Sequence, residues 1–220
     1  MATVTNVCFH GIGTPARDLE PREQSYWVGR DAFLEILDAL VGHPEVRISF
    51  DDGNASDLEI ALPALVQRGL TATFFVLAGR LEARGSLTTE HVRELGRAGM
   101  AIGTHGMEHR SWRRMTPGES RVELVEAREV LAEVAHRVVT DAALPLGLYD
   151  RRLLADLRRH GYQRVFTSDR DKAGEGSWLQ PRYSIVSTDT ASSVLSVVQD
   201  RRGIAQRTER RLARTVKRLR

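Results

Sequence analysis

The chain has 220 residues, of which 41% are hydrophobic, and its formal net charge is +3. These values are ordinary for a soluble globular domain with one sizeable core, so we expect a single domain over residues 1–200. The sequence contains one cysteine, Cys8, which excludes an intrachain disulfide and is compatible with a reducing compartment.

The N-terminal stretch does not resemble a secretory signal or a membrane anchor. The N-terminal stretch lacks the basic start and long apolar run of a secretory signal, and no later run reaches the ~18 apolar residues of a membrane span. We therefore expect a cytoplasmic protein. Residues 201–220 contain nine arginines or lysines against one glutamate. Their apolar residues fall near helical spacing, which predicts a basic C-terminal helix docked on the domain.

Short apolar runs alternate with longer helical patterns, which indicates repeated strand-helix units around a mostly parallel sheet. The seven predicted strands are Val4–His10, Val46–Phe50, Thr73–Leu77, Met100–Gly103, Asp141–Leu144, Val165–Thr167 and Tyr183–Val186. Apolar residues three and four positions apart predict helices over residues 30–41, 57–69, 88–99, 116–137 and 149–161.

Titratable side chains follow three of the predicted strands. His10 ends the first strand, Asp51 and Asp52 follow the second, and His105 and His109 follow the fourth. In parallel sheets the loops after the carboxyl ends of the strands carry the chemistry. We therefore expect these five side chains to project toward one face of the sheet.

The adjacent carboxylates of Asp51 and Asp52 are unexpected in a folded core, because like charges raise each other's pKa and resist joint burial. A capped turn is the alternative that needs no function. His105 and His109, four positions apart, can reach one cation. Together the four residues predict a two-histidine, one-aspartate metal site, in which the second carboxylate takes a proton from water.

Four ordered motifs, "SFDDGN", "GLTATFFV", "GMAIGTHGMEH" and "ALPLG", resemble those of the polysaccharide deacetylase family. This is the nodulation-factor deacetylase homology domain of carbohydrate esterase family 4. The similarity runs from about Val7 to about Ile185. It implies an α/β fold, an irregular (β/α)7 barrel with outer helices, which agrees with the strand count obtained from the residues alone.

The resemblance implies a role for each matching residue. Asp51 is the general base, and Asp52, His105 and His109 ligate one divalent metal, for which we expect Zn²⁺, with Co²⁺, Ni²⁺ or Mn²⁺ as alternatives. It also implies hydrolysis of an acetamide to a free amine and acetate. The backbone N–H of Leu146 would contact the oxyanion that forms during this reaction.

The sequence departs from the best-known members of the family in two places. Their third motif begins with an arginine that orients the base, whereas this chain has Ala143, so either another group holds Asp51 or the pKa of Asp51 differs. Their late histidine, which protonates the leaving amine, has no counterpart. We expect His10 in "CFHGIG" to be the general acid, as an imidazolium; a histidine that only completes a strand end is the alternative.

Four further residues are candidates for substrate binding. Trp112 either stacks on a sugar or packs under the loop that carries the histidines. Asp169 follows the sixth strand and either contacts a sugar hydroxyl, orients a histidine or is a solvated turn carboxylate. Tyr26 and Trp27 lie in the segment before the second strand, where members of the family place loops that cover the substrate.

Three hypotheses of function follow. The leading one is a metal-dependent N-deacetylase acting on an N-acetylated amino sugar in an intracellular intermediate, such as a nucleotide- or lipid-linked sugar or a small-molecule glycoconjugate. The second keeps the site but changes the bond to a cyclic amide or an O-acetyl ester. The third is a non-catalytic scaffold whose basic tail binds an anionic partner, including a peripheral membrane contact; the tail has no aromatic residue, which disfavours nucleic acid.

Overall fold

The computed structural model describes residues 2–199. Its strands are β1 (Thr3–Phe9), β2 (Val46–Asp52), β3 (Ala72–Val76), β4 (Ala101–Thr104), β5 (Asp141–Ala143), β6 (Arg164–Thr167), β7 (Ala173–Gly174) and β8 (Leu179–Ser184). Its α-helices are α1 (Arg30–Leu40), α2 (Leu62–Gln67), α3 (Thr89–Arg97), α4 (Pro117–Arg121), α5 (Ala127–Ala135), α6 (Arg151–Arg159) and α7 (Ala191–Val198). The C-terminal helix predicted over residues 201–220 lies outside the described residues. No helix within residues 2–199 has the length and apolarity to cross a bilayer.

Seven of these strands form a closed parallel barrel. Neighbouring strands follow the order β2-β3-β4-β5-β6-β8-β1, and β1 pairs back with β2. The short β7 pairs antiparallel with the first residues of β1. The predicted (β/α)7 barrel is thus confirmed, with one short additional strand.

Successive side chains of β2 point alternately to the core beneath the outer helices and to the barrel interior. Phe50 packs against Phe9 and Phe74 of the neighbouring strands, with ring centroids 5.4 and 4.8 Å apart, and Phe33 of α1 meets Phe9 edge-on at 5.1 Å. All four rings are fully buried, and burial of each stabilises the fold by ~1.5–3 kcal/mol. Because successive side chains point to opposite faces of a strand, Asp51 points into the barrel.

All seven predicted strands differ from the observed barrel strands at one or both ends, and three of the differences bear on the site. The second strand continues through Asp51 and Asp52, which were predicted to follow it. The first ends at Phe9, so His10 is the first residue beyond it. The last barrel strand begins at Leu179 rather than at Tyr183. Proline cannot donate to a ladder and argues against a central strand, yet the parallel register continues through Pro181. The carbonyl of Pro181 accepts a hydrogen bond from the Asn6 side chain at 3.0 Å, which ties this point to β1.

Among the strands and α-helices, β7 and α7 were not predicted. The α7 sequence "ASSVLSVV" is rich in serine and valine, which have modest helix propensity. It forms a helix because Thr190 and Ser193 make a capping box at its start and because Val194 and Val198 are buried.

Two of the predicted helices contain π-helical turns. Residues Asp57–Ala61 lead into α2, and residues Val122–Glu126 join α4 to α5 in one continuous helix. Turns of this kind occur often at functional sites. Each contributes a buried carboxylate, Asp57 and Glu123 respectively.

Candidate active site

Asp51 forms a bidentate ion pair with Arg182 of β8 inside the barrel. Nη1 and Nη2 of Arg182 donate to Oδ1 and Oδ2 of Asp51 at 2.6 Å each, and Nη1 also donates to Ser49 Oγ at 3.1 Å. Burial by itself raises the pKa of Asp51, but the Arg182 guanidinium, with a smaller contribution from His105, lowers it well below its usual range. Arg182 therefore holds Asp51 in place of the family's motif arginine, whose position is Ala143 in this chain.

Asp52 has the opposite environment. It ends β2 with φ of 77°, a left-handed conformation that costs a non-glycine residue about 1–3 kcal/mol. Its Oδ1 is buried and accepts no hydrogen bond within residues 2–199. It lies 3.5 Å from Nε2 of His105 and 3.6 Å from Nε2 of His109. Because an unpaired buried carboxylate oxygen is costly, this arrangement favours a cation as its partner.

Hydrogen bonds to Nδ1 determine the tautomers of the two histidines. Nδ1 of His105 lies 2.9 Å from the carbonyl oxygen of Ala143, and Nδ1 of His109 lies 2.7 Å from Oε2 of Glu20. Since both oxygens only accept, each neutral ring carries its proton on Nδ1 and presents the lone pair of Nε2 to Asp52. Burial lowers the pKa of His105, which favours the neutral ring that a metal ligand requires.

Asp52, His105 and His109, hereafter the Asp-His-His cluster, fit a divalent metal. One ligand atom from each residue lies within 4.8 Å of the other two. Two imidazole nitrogens and one carboxylate oxygen are donors of catalytic zinc sites, which leave a position for water or substrate. The predicted ligand set is therefore brought together at the carboxyl ends of β2 and β4.

Glu123 holds the loop between the two histidines. Its buried carboxylate accepts the backbone N–H of Met107 at 2.9 Å and the indole N–H of Trp112 at 3.1 Å. Gly106 has φ of 93°, and a Cβ at this position would lie 2.4 Å from Oε2 of Glu123. Only glycine allows this approach, so Gly106 and Glu123 together set the loop conformation.

A cavity of about 440 Å³ opens onto Asp51 and the Asp-His-His cluster. Its wall includes His10, Tyr26, Leu146, Ser168 and Ser184. The volume lies within the ~300–1,000 Å³ of small-molecule sites, so the cavity can accept a sugar-sized ligand next to the candidate base.

His10 is on the wall of this cavity beside Asp51. One of its ring nitrogens lies within 4.8 Å of a carboxylate oxygen of Asp51. Its Nδ1 is buried and has no hydrogen-bond partner in the described part of the chain. The ring packs on Tyr26 with centroids 4.8 Å apart. Leu146, at φ of 59°, also lines the cavity, as its predicted oxyanion contact requires.

Three of the candidate substrate-binding residues do not line the cavity. Trp112 is only 1% exposed, which agrees with the packing alternative given for it. Trp27 is 6% exposed, so the structure corrects its predicted sugar contact. Trp112 packs under the histidine loop, and the Trp27 ring lies so close to Gly11 that a Cβ there would be 2.1 Å from it. Asp169 accepts a hydrogen bond from the Tyr149 hydroxyl at 2.6 Å and is also outside the cavity lining.

Three charged residues of the site were missed by the sequence analysis. Arg182 follows a proline, which placed it outside the predicted strand. Glu123 lies in a predicted helix, where a glutamate is ordinarily solvated. Glu20 lies in a segment without helical or strand periodicity, which contains no signal for a contact with His109. The missing arginine at Ala143 was the one available signal, because it required another cation near Asp51.

The fold and the site define a class of protein, a parallel (β/α)7 barrel with an Asp-His-His cluster at the carboxyl ends of its strands. Residues 41–165 match the family model described as polysaccharide deacetylase. The chain therefore belongs to the polysaccharide deacetylase family, as the four motifs predicted.

Individual proteins show the same likeness. The putative polysaccharide deacetylase YxkH of Bacillus subtilis (strain 168) is 27% identical over 140 residues, covering 64% of this chain and 49% of the relative. The chain thus spans about half the length of this relative. The Streptococcus pyogenes deacetylase PplD, solved in complex with acetate, has a TM-score of 0.77 and 19% identity, covering 90% of this chain and 98% of that one. IcaB from Ammonifex degensii has a TM-score of 0.71 and 23% identity, covering 90% and 97%. At these identities the two structures share the fold.

Proposed function

We propose that this chain is a metal-dependent N-deacetylase that releases acetate from an N-acetylated amino sugar. The proposal rests on the different contacts of the two neighbouring aspartates. Asp51 is bound by Arg182, whereas Oδ1 of Asp52 has no hydrogen bond within residues 2–199 and faces Nε2 of both histidines. Two neighbouring carboxylates with opposed surroundings take different tasks, here base and ligand. Membership of the family supports a hydrolytic reaction.

The Asp-His-His cluster would hold the ion. Its nitrogen and oxygen donors suit Zn²⁺, and Co²⁺, Ni²⁺ or Mn²⁺ accept the same set. A bound cation supplies Lewis acidity at the acetamide carbonyl and lowers the pKa of water.

Residues around the cavity have the remaining catalytic roles. Asp51 accepts the proton of the attacking water, and Arg182 keeps it ionised and oriented while lone pairs on both carboxylate oxygens stay available. The N–H of Leu146 donates to the oxyanion that forms at the carbonyl carbon. His10, as an imidazolium, donates a proton to the departing nitrogen, so that a free amine and acetate are the products.

Acetate release tests the reaction and the substrate class together. Zinc-loaded wild type and Asp51→Asn are assayed with N-acetylated monosaccharides, nucleotide sugars and carrier-lipid analogues, and bound zinc is measured in both. We expect release by the wild type on at least one class and its loss in the variant at equal zinc content. Release by Asp51→Asn at the wild-type rate would contradict the role of the base. That the substrate is an intracellular intermediate stays a prediction, for which the nucleotide sugars and carrier analogues are the informative compounds.

The role of His10 predicts a dependence on the leaving group. His10→Asn should lower acetamide turnover by about 10²–10⁴-fold without loss of zinc. Hydrolysis of 4-nitrophenyl acetate should change little, because its leaving group departs without a proton. His136→Asn, at the exposed C-terminal end of α5 and outside the cavity lining, is the matched control. Acetamide turnover of His10→Asn near the wild-type value would show that another group is the acid.

The same assays separate the remaining hypotheses. Hydrolysis of O-acetyl esters alone would favour the ester hypothesis, since an alcohol leaves more easily than an amine. Zinc binding without acetate release from any compound would favour a cyclic amide, which is then tested directly. Absence of zinc binding would favour the scaffold, and binding of an anionic carrier that is lost on deletion of residues 201–220 would identify the basic tail as its surface.

A further inference from the structure

A carboxylate outside the Asp-His-His cluster contacts one of its members. Oε2 of Glu20 lies 2.7 Å from Nδ1 of His109, while Oε1 of the same carboxylate pairs with Arg80. Glu20 belongs to the segment of residues 10–29 between β1 and α1, whereas Arg80 follows β3 and His109 follows β4. Three separate parts of the chain therefore meet at this carboxylate.

The two histidines of the cluster differ in what holds them. His105 is 2% exposed and donates to the carbonyl of Ala143, which belongs to a barrel strand. The His109 side chain is 14% exposed, and the hydrogen bond that the structure shows at its Nδ1 goes to Glu20. A ring at the edge of the site gains its orientation from this contact, because nothing in the strand ladder constrains it.

We propose that Glu20 is a positioning residue for the metal: it fixes the ring and the tautomer of His109 and thereby links residues 10–29 to the metal centre. The inference rests on the proposed metal centre. A carboxylate that accepts from Nδ1–H fixes the lone pair on Nε2 and raises the basicity of the ring, and such partners change metal affinity about 10–100-fold. Arg80 holds the other oxygen of Glu20, so the carboxylate is itself oriented.

The link has a consequence for the reaction, because residues 10–29 also carry His10 and Tyr26 on the cavity wall. Retention of the metal and placement of the candidate acid thus share one anchor. A second anchor holds the main chain of this segment rather than the Glu20 carboxylate. Arg17 donates to Oδ1 of Asn54 at 3.0 Å and to Oε2 of Glu23 at 3.0 Å, and the same Oε2 accepts the backbone N–H of Glu20 at 2.8 Å. Loosening the second anchor should disturb the segment without removing the contact between Glu20 and His109.

The test compares Zn²⁺ affinity in wild type, Glu20→Gln, Glu20→Ala and Arg17→Met by competition with a chromophoric chelator. Long-range ¹H–¹⁵N spectra of the histidine side chains of the zinc-free proteins report the His109 tautomer. We expect Glu20→Ala to lose about 10–100-fold in affinity and Glu20→Gln less, since the amide oxygen still accepts a hydrogen bond. Arg17→Met should stay within about threefold of the wild type. The Nδ1–H tautomer of His109 should persist in wild type and Arg17→Met and lose population in Glu20→Ala.

Several outcomes would overturn the inference. If Glu20→Ala keeps the wild-type Zn²⁺ affinity and an unchanged His109 spectrum, Glu20 does not position His109. An equal loss in Arg17→Met would assign the effect to the segment as a whole. If the wild type binds no Zn²⁺, the metal centre of the proposed function fails, and the tautomer of His109 alone then decides whether Glu20 fixes the ring.

Discussion

The site has two halves that are supported in different ways. In one half, Asp51, Arg182 and His105 lie on or directly after barrel strands, are at most 3% exposed and bond to other strands. In the other half, Glu20 and His109 lie on connecting segments, and their side chains are 37% and 14% exposed. The first, hereafter the rigid half, is buried and its charges are fixed by contacts between strands. The second, hereafter the peripheral half, is held by contacts between connecting segments. Substitutions in the first half should reduce stability as well as activity, whereas those in the second should mainly affect binding.

The largest effect is expected for Arg182→Met. This change leaves Asp51 as a buried carboxylate without its partner, and breaking such a pair destabilises a fold by about 3–5 kcal/mol. Because Arg182 lowers the pKa of Asp51, the pair stabilises the fold above about pH 4, and this contribution is lost as the pH falls further. Urea unfolding at pH 7 measures the difference.

A double-mutant cycle is the control for this prediction. In the Asp51→Asn background the Arg182→Met change should cost clearly less, because no carboxylate is left unpaired. Equal costs in the two backgrounds would mean that Arg182 stabilises the barrel through its packing rather than through Asp51.

The rigid half was the more predictable of the two, with one exception. Asp51, Asp52 and His105 follow apolar runs whose carboxyl ends must meet in a parallel barrel, so their proximity follows from local pattern and topology. Arg182 was hidden because its contact with Asp51 spans 131 positions and its strand contains a proline. The pairing of β8 with β1 and the hydrogen bond from Asn6 to the Pro181 carbonyl are long-range contacts that no local window of sequence contains.

The peripheral half was predictable only where a motif named the residue. His109 belongs to a four-residue histidine spacing, but the Glu20 carboxylate that orients it lies 89 positions away in an aperiodic segment. Trp27 shows that local sequence also does not separate a cavity residue from a core residue. An aromatic residue in such a segment has the same local sequence whether it lines a cavity or fills the core, and its contact with Gly11 decided for the core.

An intermediate effect is expected for Glu123→Gln, which tests whether the histidine loop belongs to the rigid half. The carboxylate accepts N–H groups from Met107 and Trp112, and hydrogen bonds to a charged group contribute about 1.5–3 kcal/mol. We expect a loss of this size in unfolding free energy and a weaker Zn²⁺ affinity. The Glu126 side chain in the same helical turn is 40% exposed and forms a surface ion pair with Arg121, and such pairs contribute little. Glu126→Gln should therefore stay within about 0.5 kcal/mol. If Glu123→Gln is as stable as Glu126→Gln, the histidine loop belongs to the peripheral half.

The only gain in stability is expected for Asp57→Asn. Asp57 is 0% exposed and neither carboxylate oxygen has a hydrogen-bond partner within residues 2–199. Burial, followed by the charges of Asp52 and Asp51, raises its pKa well above the ordinary value. The folded state therefore binds the proton more tightly than the unfolded state, so Asp57 reduces stability progressively as the pH rises above about 4.

The neutral asparagine removes this dependence at Asp57. In the zinc-free protein, the stability of Asp57→Asn relative to wild type should rise between pH 5 and pH 8, by at most about 1.4 kcal/mol per pH unit. Thermal unfolding across this range measures it, with the exposed Asp18→Asn as a control that should show a constant difference. Zinc at Asp52 should reduce the gain, because the cation offsets the negative charge near Asp57. A pH-independent difference for Asp57→Asn would show that the pKa of Asp57 is not raised in the folded state.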